Sequence, residues 1–452
     1  MRPYRLIFGL SCTLFLLDPQ AALAIPSFAA QTGQPCAACH IGAFGPQLTP
    51  YGRDFKLNGY VASDRPKDNL IDNWYERLTT AVKTSFTHNN ENIYPNAGGV
   101  GFGPNDNAAF DQGMVFFGGR ITNNIGALAE VSYDGVTRNF FWDAVDIRRA
   151  WNFDFMGRDV TAGVTVGNQI GNSTIWNSSP PWGFPYASSG LASTPQASTF
   201  LDDTLNGQVM GPGVFYSDGL FYAETAVYFP LSHALDQAIG NPAADNYTTP
   251  IPYWHLALEQ EFDHHNQYAQ IGTFGATATR HPGNDTTTGL TDRMTDWGFE
   301  GNYQYLGTGH NIVSAHAGFI HEVEDLKASE VLGGSSIGAG TLNTFKTDVT
   351  YAWENTWVPS LQYFKTTGST NAALYTNSVN GKPDSEGYTV DLAYVPFGKS
   401  DSVIQWANAR LALQYTGYTR FNGTTKNASD NNTLFLNLWV SLTPFVPAFG
   451  GK

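Results

Sequence analysis

Between residues 74 and 443 the chain alternates apolar and polar side chains with period two, in stretches of about ten residues. In 253–262, Trp254, Leu256, Leu258 and Phe262 share one face, while Tyr253, His255, Ala257, Glu259 and Glu261 share the other. In 405–416, Ala409, Leu411, Leu413 and Tyr415 oppose Asn408, Arg410, Gln414 and Thr416. Near the end, Leu434, Leu436, Leu438, Val440 and Leu442 oppose Thr433, Asn437, Ser441 and Thr443. Period two with one apolar face is the signature of a strand. Sixteen such stretches are expected, beginning near Trp74, Asp111, Ile125, Phe140, Asp159, Asn206, Gly219, Ile251, Gln267, Thr291, Asn311, Thr341, Thr356, Ser385, Val403 and Asn431.

The connections alternate in length. Short ones fall at Asn123-Asn124, Met156-Gly157, Ser217-Asp218, Asp263 to Asn266, Leu306 to Gly309, Glu354-Asn355 and Phe397 to Asp401, several with the Asn, Asp and Gly of tight turns. Long ones fall at 89–110, 168–205, 230–250, 280–290, 326–340, 367–384 and 421–430, and only 135–139 is short in a long-loop position. This rhythm predicts a mainly β fold, a transmembrane antiparallel β-barrel of about 16 strands with short turns and both termini on the periplasmic side. A soluble sandwich or propeller has strands of the same pattern but turns its apolar face into a core.

Composition sharpens the choice. Charged residues make up only 14% of the chain, aromatics 14%, and glycines number 47. These values suit the aromatic girdles and small residues of a membrane barrel. The net charge of −15 excludes the basic patches on which nucleic acid binding depends. Arg2 and Arg5, the apolar run Leu6 to Leu17 and the A-x-A site at Ala22-Leu23-Ala24 read as a signal peptide over 1–24. Its apolar run is too short to span a bilayer as a helix, and no later apolar run is longer, so an integral membrane protein of this sequence crosses as a barrel.

Cys36-Ala37-Ala38-Cys39-His40 is a C-x-x-C-H run, the attachment signature of haem c. The two thiols add to the vinyl groups, and the following histidine is positioned as the proximal iron ligand. With Cys12 in the signal peptide, the exported chain has only these two cysteines. A disulfide or half a zinc site are the alternatives, but zinc needs a second ligand pair that no other cysteines supply. The chain therefore divides into a signal peptide over 1–24, a c-type haem segment over 25–70 and an outer-membrane barrel over 71–452. The haem segment is too small to enclose a core of its own. A barrel of sixteen strands has a lumen wide enough for a plug, so the segment is expected to enter the barrel from the periplasmic side.

The second axial ligand is not evident. Met114, Met156, Met210 and Met294 all lie in the barrel unit, and His88 is the first histidine after His40. His255 and His316 fall on predicted strands and His264-His265 in a predicted turn, where lumen-lining and solvated roles are the default. A ligand from the barrel and an open coordination site both fit the sequence.

Gln31-Thr32-Gly33, the Cys36 to His40 run, Leu48-Thr49-Pro50-Tyr51-Gly52-Arg53 and Phe55-Lys56-Leu57-Asn58-Gly59-Tyr60 together resemble the start of the fused outer-membrane monohaem cytochrome–porins, which are associated with iron(II) oxidation at the cell surface. The close resemblance covers about residues 26–60. Beyond that it is architectural, and the ending Phe449-Gly450-Gly451-Lys452 departs from the terminal aromatic of many outer-membrane barrels. The resemblance implies an electron-transfer oxidoreductase with one covalent haem c on Cys36 and Cys39, His40 as its proximal ligand, extracellular iron(II) as donor and a periplasmic carrier, a cytochrome or copper protein, as acceptor. It gives Leu48 to Tyr60 a packing and linking role.

One haem does not easily bridge an apolar band about 25 Å tall, and a plug position shortens both transfer legs. Asp202, Asp203, Glu324 and Asp325 are candidate loop carboxylates for attracting cations, with solvation as the default role. The 168–205 loop either folds into the lumen or forms an outer surface. Two other readings are a diffusion porin with an accessory haem and a surface haem enzyme such as a peroxidase.

Overall fold

The structure, a computed structural model, describes residues 26–62, 74–92, 101–178, 180–205, 207–239, 246–248, 250–404 and 407–442. The expected signal peptide, Cys12 and the end of the chain around Phe449 lie outside the described residues.

The alternating stretches fold as strands β1 (Leu78–Asn89), β2 (Asn107–Thr122), β3 (Ile125–Asp134), β4 (Asn139–Phe155), β5 (Arg158–Gly167), β6 (Val209–Ser217), β7 (Phe221–Pro230), β8 (Asn246–Tyr247), β9 (Ile251–Phe262), β10 (Gln267–His281), β11 (Asp292–Tyr305), β12 (Asn311–Asp325), β13 (Ala339–Trp353), β14 (Trp357–Gly368), β15 (Ser385–Tyr394), β16 (Ala407–Arg420) and β17 (Thr433–Leu442). β8 is a two-residue ladder on β10, outside the ring, and β7 pairs directly with β9. β1 pairs antiparallel with β2 on one side and with β17 on the other, so sixteen long strands close into a barrel with no free edge.

Each expected strand start lies within four residues of the observed one. Of the three differences of four, at β1, β2 and β16, the first two have local causes. Trp74–Arg77 makes one 3-10 turn before β1 begins. β2 starts early because Asn107 to Phe110 already pair with Thr84 to Thr87 across a bulge. The 135–139 connection is indeed a tight hairpin between β3 and β4. The first residues of β1 pair with the last residues of β17, on the short-turn side of the ring.

The polarity of the wall is the reverse of a water-soluble protein. Leu256, Leu258, Leu411, Leu413, Leu434, Leu436 and Leu438 point outward and are exposed. Tyr253, His255, Ala257, Asn408, Arg410, Gln414 and Asn437 point inward and are buried. An outward apolar face with an inward polar one is what lipid outside and a polar lumen require, and it removes the soluble sandwich and propeller. Exposed Phe155, Phe221, Phe262, Tyr305, Trp353, Trp357 and Tyr394 ring the short-turn rim, where aromatic side chains suit a membrane interface. Leu413 sits at the middle of β16, so Leu413→Arg should cost about 2–4 kcal/mol of barrel stability, measurable as a shift in urea unfolding of the protein in lipid vesicles.

The segment before the barrel is helical and lies in the short-turn mouth. It comprises α1 (Pro26–Thr32), α2 (Cys36–Cys39) and α3 (Pro50–Leu57). α3 starts where Thr49 accepts a hydrogen bond from Gly52 N at 3.2 Å and Pro50 follows, a favoured pairing of cap and first-turn residue. Ala29, Cys36, Ile41 and Ala43 pack against Ile312, Ala352, Val358, Ala393, Val395 and Ala412. Ile312, Ala352, Val358 and Ala393 lie at strand ends beside the short turns, which fixes the depth of the plug.

Candidate functional site

The Cys36 to His40 run is a single helical turn followed by an abrupt change of direction. Pro35 precedes the turn, and His40 leaves it in extended conformation while its N–H donates to Cys36 O at 2.9 Å. His40 then pairs with Leu48 as an isolated β-bridge, which folds the chain back so that α3 lies against α2. Thr49 N donates to Cys39 O at 2.9 Å, and the Thr49 hydroxyl donates to Ala38 O. A Cβ on Gly52 would stand 2.2 Å from Cys39 O, so only glycine permits this approach. The packing role implied for Leu48 to Tyr60 thus has a physical basis in how Leu48, Thr49 and Gly52 brace the turn.

The barrel holds the same turn from outside. Ala37 N donates to Gly398 O at 3.0 Å, Gly42 N to Asn355 Oδ1 at 2.9 Å and Asn408 Nδ2 to Ala43 O at 2.7 Å. Gly398 has φ of +81° and lies so close that a Cβ there would be 2.9 Å from Cys36 Cβ. Both requirements select glycine. Asn355 and Gly398 come from two expected short turns and Asn408 from the polar face of an expected strand. Their partner is invisible in sequence because it lies more than 300 positions away.

Cys36, Cys39 and His40 all line one cavity of about 370 Å³, within the ~300–1,000 Å³ typical of cofactor sites. Phe28, Phe44, Leu48, Phe55 and Tyr60 of the plug, Ala81, Met114, Leu128 and Trp439 of the wall, and Trp182 and Tyr186 of the long loop complete it. Phe44 meets Trp439 edge-on at 5.2 Å between ring centroids, and Lys83 Nζ lies 5.5 Å over the Trp439 ring. Neither thiol is in a disulfide, and both are buried. Burial pushes the Cys39 thiol up to about 12 and raises Cys36 as well, so both stay protonated. Burial likewise pushes His40 down to about 4, leaving a neutral imidazole. Its Nδ1 is buried and has no hydrogen-bond partner. Two thiols outside any disulfide, a neutral imidazole and a largely apolar cavity fit what a covalently attached haem requires.

The 168–205 loop folds inward and meets the plug. Lys56 Nζ donates to Asn172 O at 2.8 Å, Thr174 O at 2.9 Å and Asn177 Oδ1 at 2.7 Å. Arg53 donates to Gln304 Oε1 at 2.6 Å, with its guanidinium carbon 3.7 Å from the centroid of the Trp176 ring. Trp176 in turn donates to Glu259 of β9. Tyr60 donates to Asp146 at 2.6 Å, and Asp146 also accepts from Arg148. Beyond the packing and linking role implied for Leu48 to Tyr60, nothing in the sequence marks the partners of Arg53, Lys56 or Trp176. Lys56→Met would leave three buried acceptors without their donor, at about 1–3 kcal/mol each. Hydrogen exchange over 172–177 should then accelerate while the strand ladders keep their protection.

The other candidate side chains lie elsewhere. His88 pairs with Asp106 at 2.7 Å in an exposed position. His255 and Glu300, at 2.8 Å, and His316 and Asp348, at 2.9 Å, form buried pairs on the lumen wall. His265 pairs with Glu261 in an exposed turn. Glu324 and Asp325 end β12 rather than lying in a loop, with Asp325 held by Lys327 at 2.8 Å. Asp202 is paired with Lys346 at 2.7 Å, and Asp203 accepts from Ser198 at 2.8 Å. Among the described residues no three His, Cys, Asp or Glu side chains gather as metal ligands do.

The fold is thus a closed 16-strand barrel of the outer-membrane porin type, with a helical plug. No protein-family model matches the chain, and no curated protein matches it. Among solved structures it is similar to an anion-selective porin from Comamonas acidovorans, at 10% identity and a TM-score of 0.44, covering 81% of this chain and 98% of that one. It is also similar to OmpT of Vibrio cholerae, at 11% identity and a TM-score of 0.43, with 81% and 96% covered. OprB of Pseudomonas putida matches at 11% identity and a TM-score of 0.43, with 82% and 95% covered. The assignment of the barrel rests on ring closure and wall polarity, not on these matches.

Proposed function

We propose that this protein is an electron conduit of the bacterial outer membrane, with one haem c on Cys36 and Cys39 and His40 as its proximal ligand. The observation that carries the reading is the lining of one cavity, inside the barrel mouth, by Cys36, Cys39 and His40, with neither thiol in a disulfide. When bound, the haem iron supplies one-electron chemistry: an extracellular donor, iron(II) in the leading case, gives up one electron and leaves as iron(III), and a one-electron periplasmic cytochrome or copper protein accepts it.

The chain's own residues provide the setting. Phe28, Phe44, Phe55 and Trp439 give the cavity apolar walls, which restrict water and tune a potential through burial. Arg53, over the Trp176 ring, and Lys56 tie the plug to the inward loop. Entry of the plug at the short-turn mouth sets the haem nearer the periplasmic acceptor. Iron(II) as the donor comes from the resemblance of residues 26–60 alone.

A diffusion porin with an accessory haem is the second reading, supported by the sixteen-strand ring, a size that leaves an aqueous channel where nothing fills it. Liposome swelling with small sugars separates the two, because a filled lumen admits them poorly. The direct test of the first reading is anaerobic mixing of the oxidised, detergent-extracted protein with iron(II). Reduction seen in the haem absorbance supports it. No reduction at any pH from acid to neutral, in protein that carries haem, removes iron(II) as the donor.

A further inference from the structure

Among the wall residues of the cavity at the short-turn mouth, Met114 stands apart chemically. It is inward-facing on β2, 3% exposed, and its thioether is a soft, neutral donor. The strand register places it relative to the haem-attachment turn. Asn408 pairs with Ser441, Ser441 with Ala81 and Ala81 with Met114, so these four side chains form one row across β16, β17, β1 and β2. All four line the cavity. Asn408 grips Ala43 O beside the attachment turn, and Met114 is three strand spacings away, roughly 14 Å along a curved wall. A porphyrin anchored at one end of that row has the sulfur at the other.

The alternatives at this level are committed. Lys56 gives its ammonium protons to three acceptors, and Tyr60 donates to Asp146. Apart from His40, no histidine lines the cavity. Met156 is exposed in a turn, and Met294 packs with Ile170, Phe200 and Leu201 in a different cluster. The remaining competitors are Lys83, whose ammonium lies over the Trp439 ring and would first have to lose a proton, and Tyr186, with a buried hydroxyl that has no partner but whose phenolate is a hard, anionic donor held on a loop.

We infer that the Met114 thioether, which shares the cavity at the short-turn mouth with His40, is the second axial ligand of the iron. This rests on the haem reading above and makes the site a six-coordinate electron-transfer centre rather than an open, peroxidase-like one. A methionine–histidine pair also raises the potential, which suits an acceptor of electrons from a weak donor.

The test uses the full chain, extracted from membranes, with covalent haem quantified first under denaturing conditions. The oxidised protein is expected to show the far-red sulfur-to-iron charge-transfer band, and the reduced protein to resist carbon monoxide on mixing. Met114→Leu, which conserves volume, should keep wild-type haem content, lose the band, become high-spin and bind carbon monoxide at once. Met114→His should return to low spin without the band, and Tyr186→Phe should leave the spectrum unchanged. A wild-type protein that carries haem but lacks the band or binds carbon monoxide immediately overturns the inference, and that measurement does not depend on any variant folding. A Tyr186→Phe spectrum that changes while Met114→Leu does not would also overturn it. Absence of covalent haem from the wild type instead defeats the underlying reading.

Discussion

Replacing Cys36 and Cys39 together by serine is expected to abolish covalent haem while leaving the barrel in the membrane. The two thiols are the only described cysteines, so no other side chain substitutes for them in a thioether. Haem-linked peroxidase staining on a denaturing gel should fall from full signal to none, and each single replacement should leave a weakly attached, partly loaded population. The strands do not depend on the thiols. Ring closure runs through the β1–β17 and β1–β2 ladders, and the apolar outer face is unchanged. Heat-modifiable migration on the same gel should therefore persist. The plug should suffer, because about 40 residues cannot hold a core unaided and Phe28, Phe44 and Phe55 would border an unfilled cavity. Protease sensitivity within 26–62 should rise sharply.

Deleting residues 26–62, with the export signal and all strands kept, is expected to open the lumen. The plug fills the short-turn mouth through Ala29, Ile41 and Ala43 against the barrel wall, and it anchors the inward loop through Arg53 and Lys56. Its loss frees both the mouth and that loop, since Lys56 alone satisfies three acceptors between residues 172 and 177. Single-channel conductance in planar bilayers should rise several-fold toward that of an open sixteen-strand pore, and sugar-driven liposome swelling should appear. Equal conductance for the full chain and the deletion would mean that the plug does not obstruct the channel.

Much of the wall was legible because its physics is local. Leu256, Leu258, Leu411 and Leu413 alternate with His255, Ala257, Arg410 and Gln414, and the same alternation that marks a strand also marks which side meets lipid. Turn chemistry was equally local, as at Asn123-Asn124 and Asp263 to Asn266. The C-x-x-C-H motif was legible because Cys36, Cys39 and His40 are neighbours in the chain.

What was not legible depends on partners far apart in sequence. Arg53 and Lys56 fall in the stretch to which the resemblance gives packing and linkage without naming a partner; both are buried, against Gln304 and Trp176 in one case and the loop carbonyls in the other. Whether the 168–205 loop points inward was undecidable from composition, since Trp176 and Trp182 suit either an outer surface or a packed lumen. Met114 appeared only as one of four methionines in the barrel unit. Its place in the cavity follows from the register of four strands, and that register is fixed by the closure of the ring between β1 and β17.

Electron transfer across a sealed membrane would show directly whether the protein is a conduit. The protein would be reconstituted into liposomes that enclose an oxidised one-electron acceptor of cytochrome type, with iron(II) added only outside under anaerobic conditions. The enclosed acceptor is expected to be reduced with the intact chain and not with the Cys36→Ser, Cys39→Ser double variant. Haem-loaded intact protein that leaves the enclosed acceptor oxidised would contradict a conduit role.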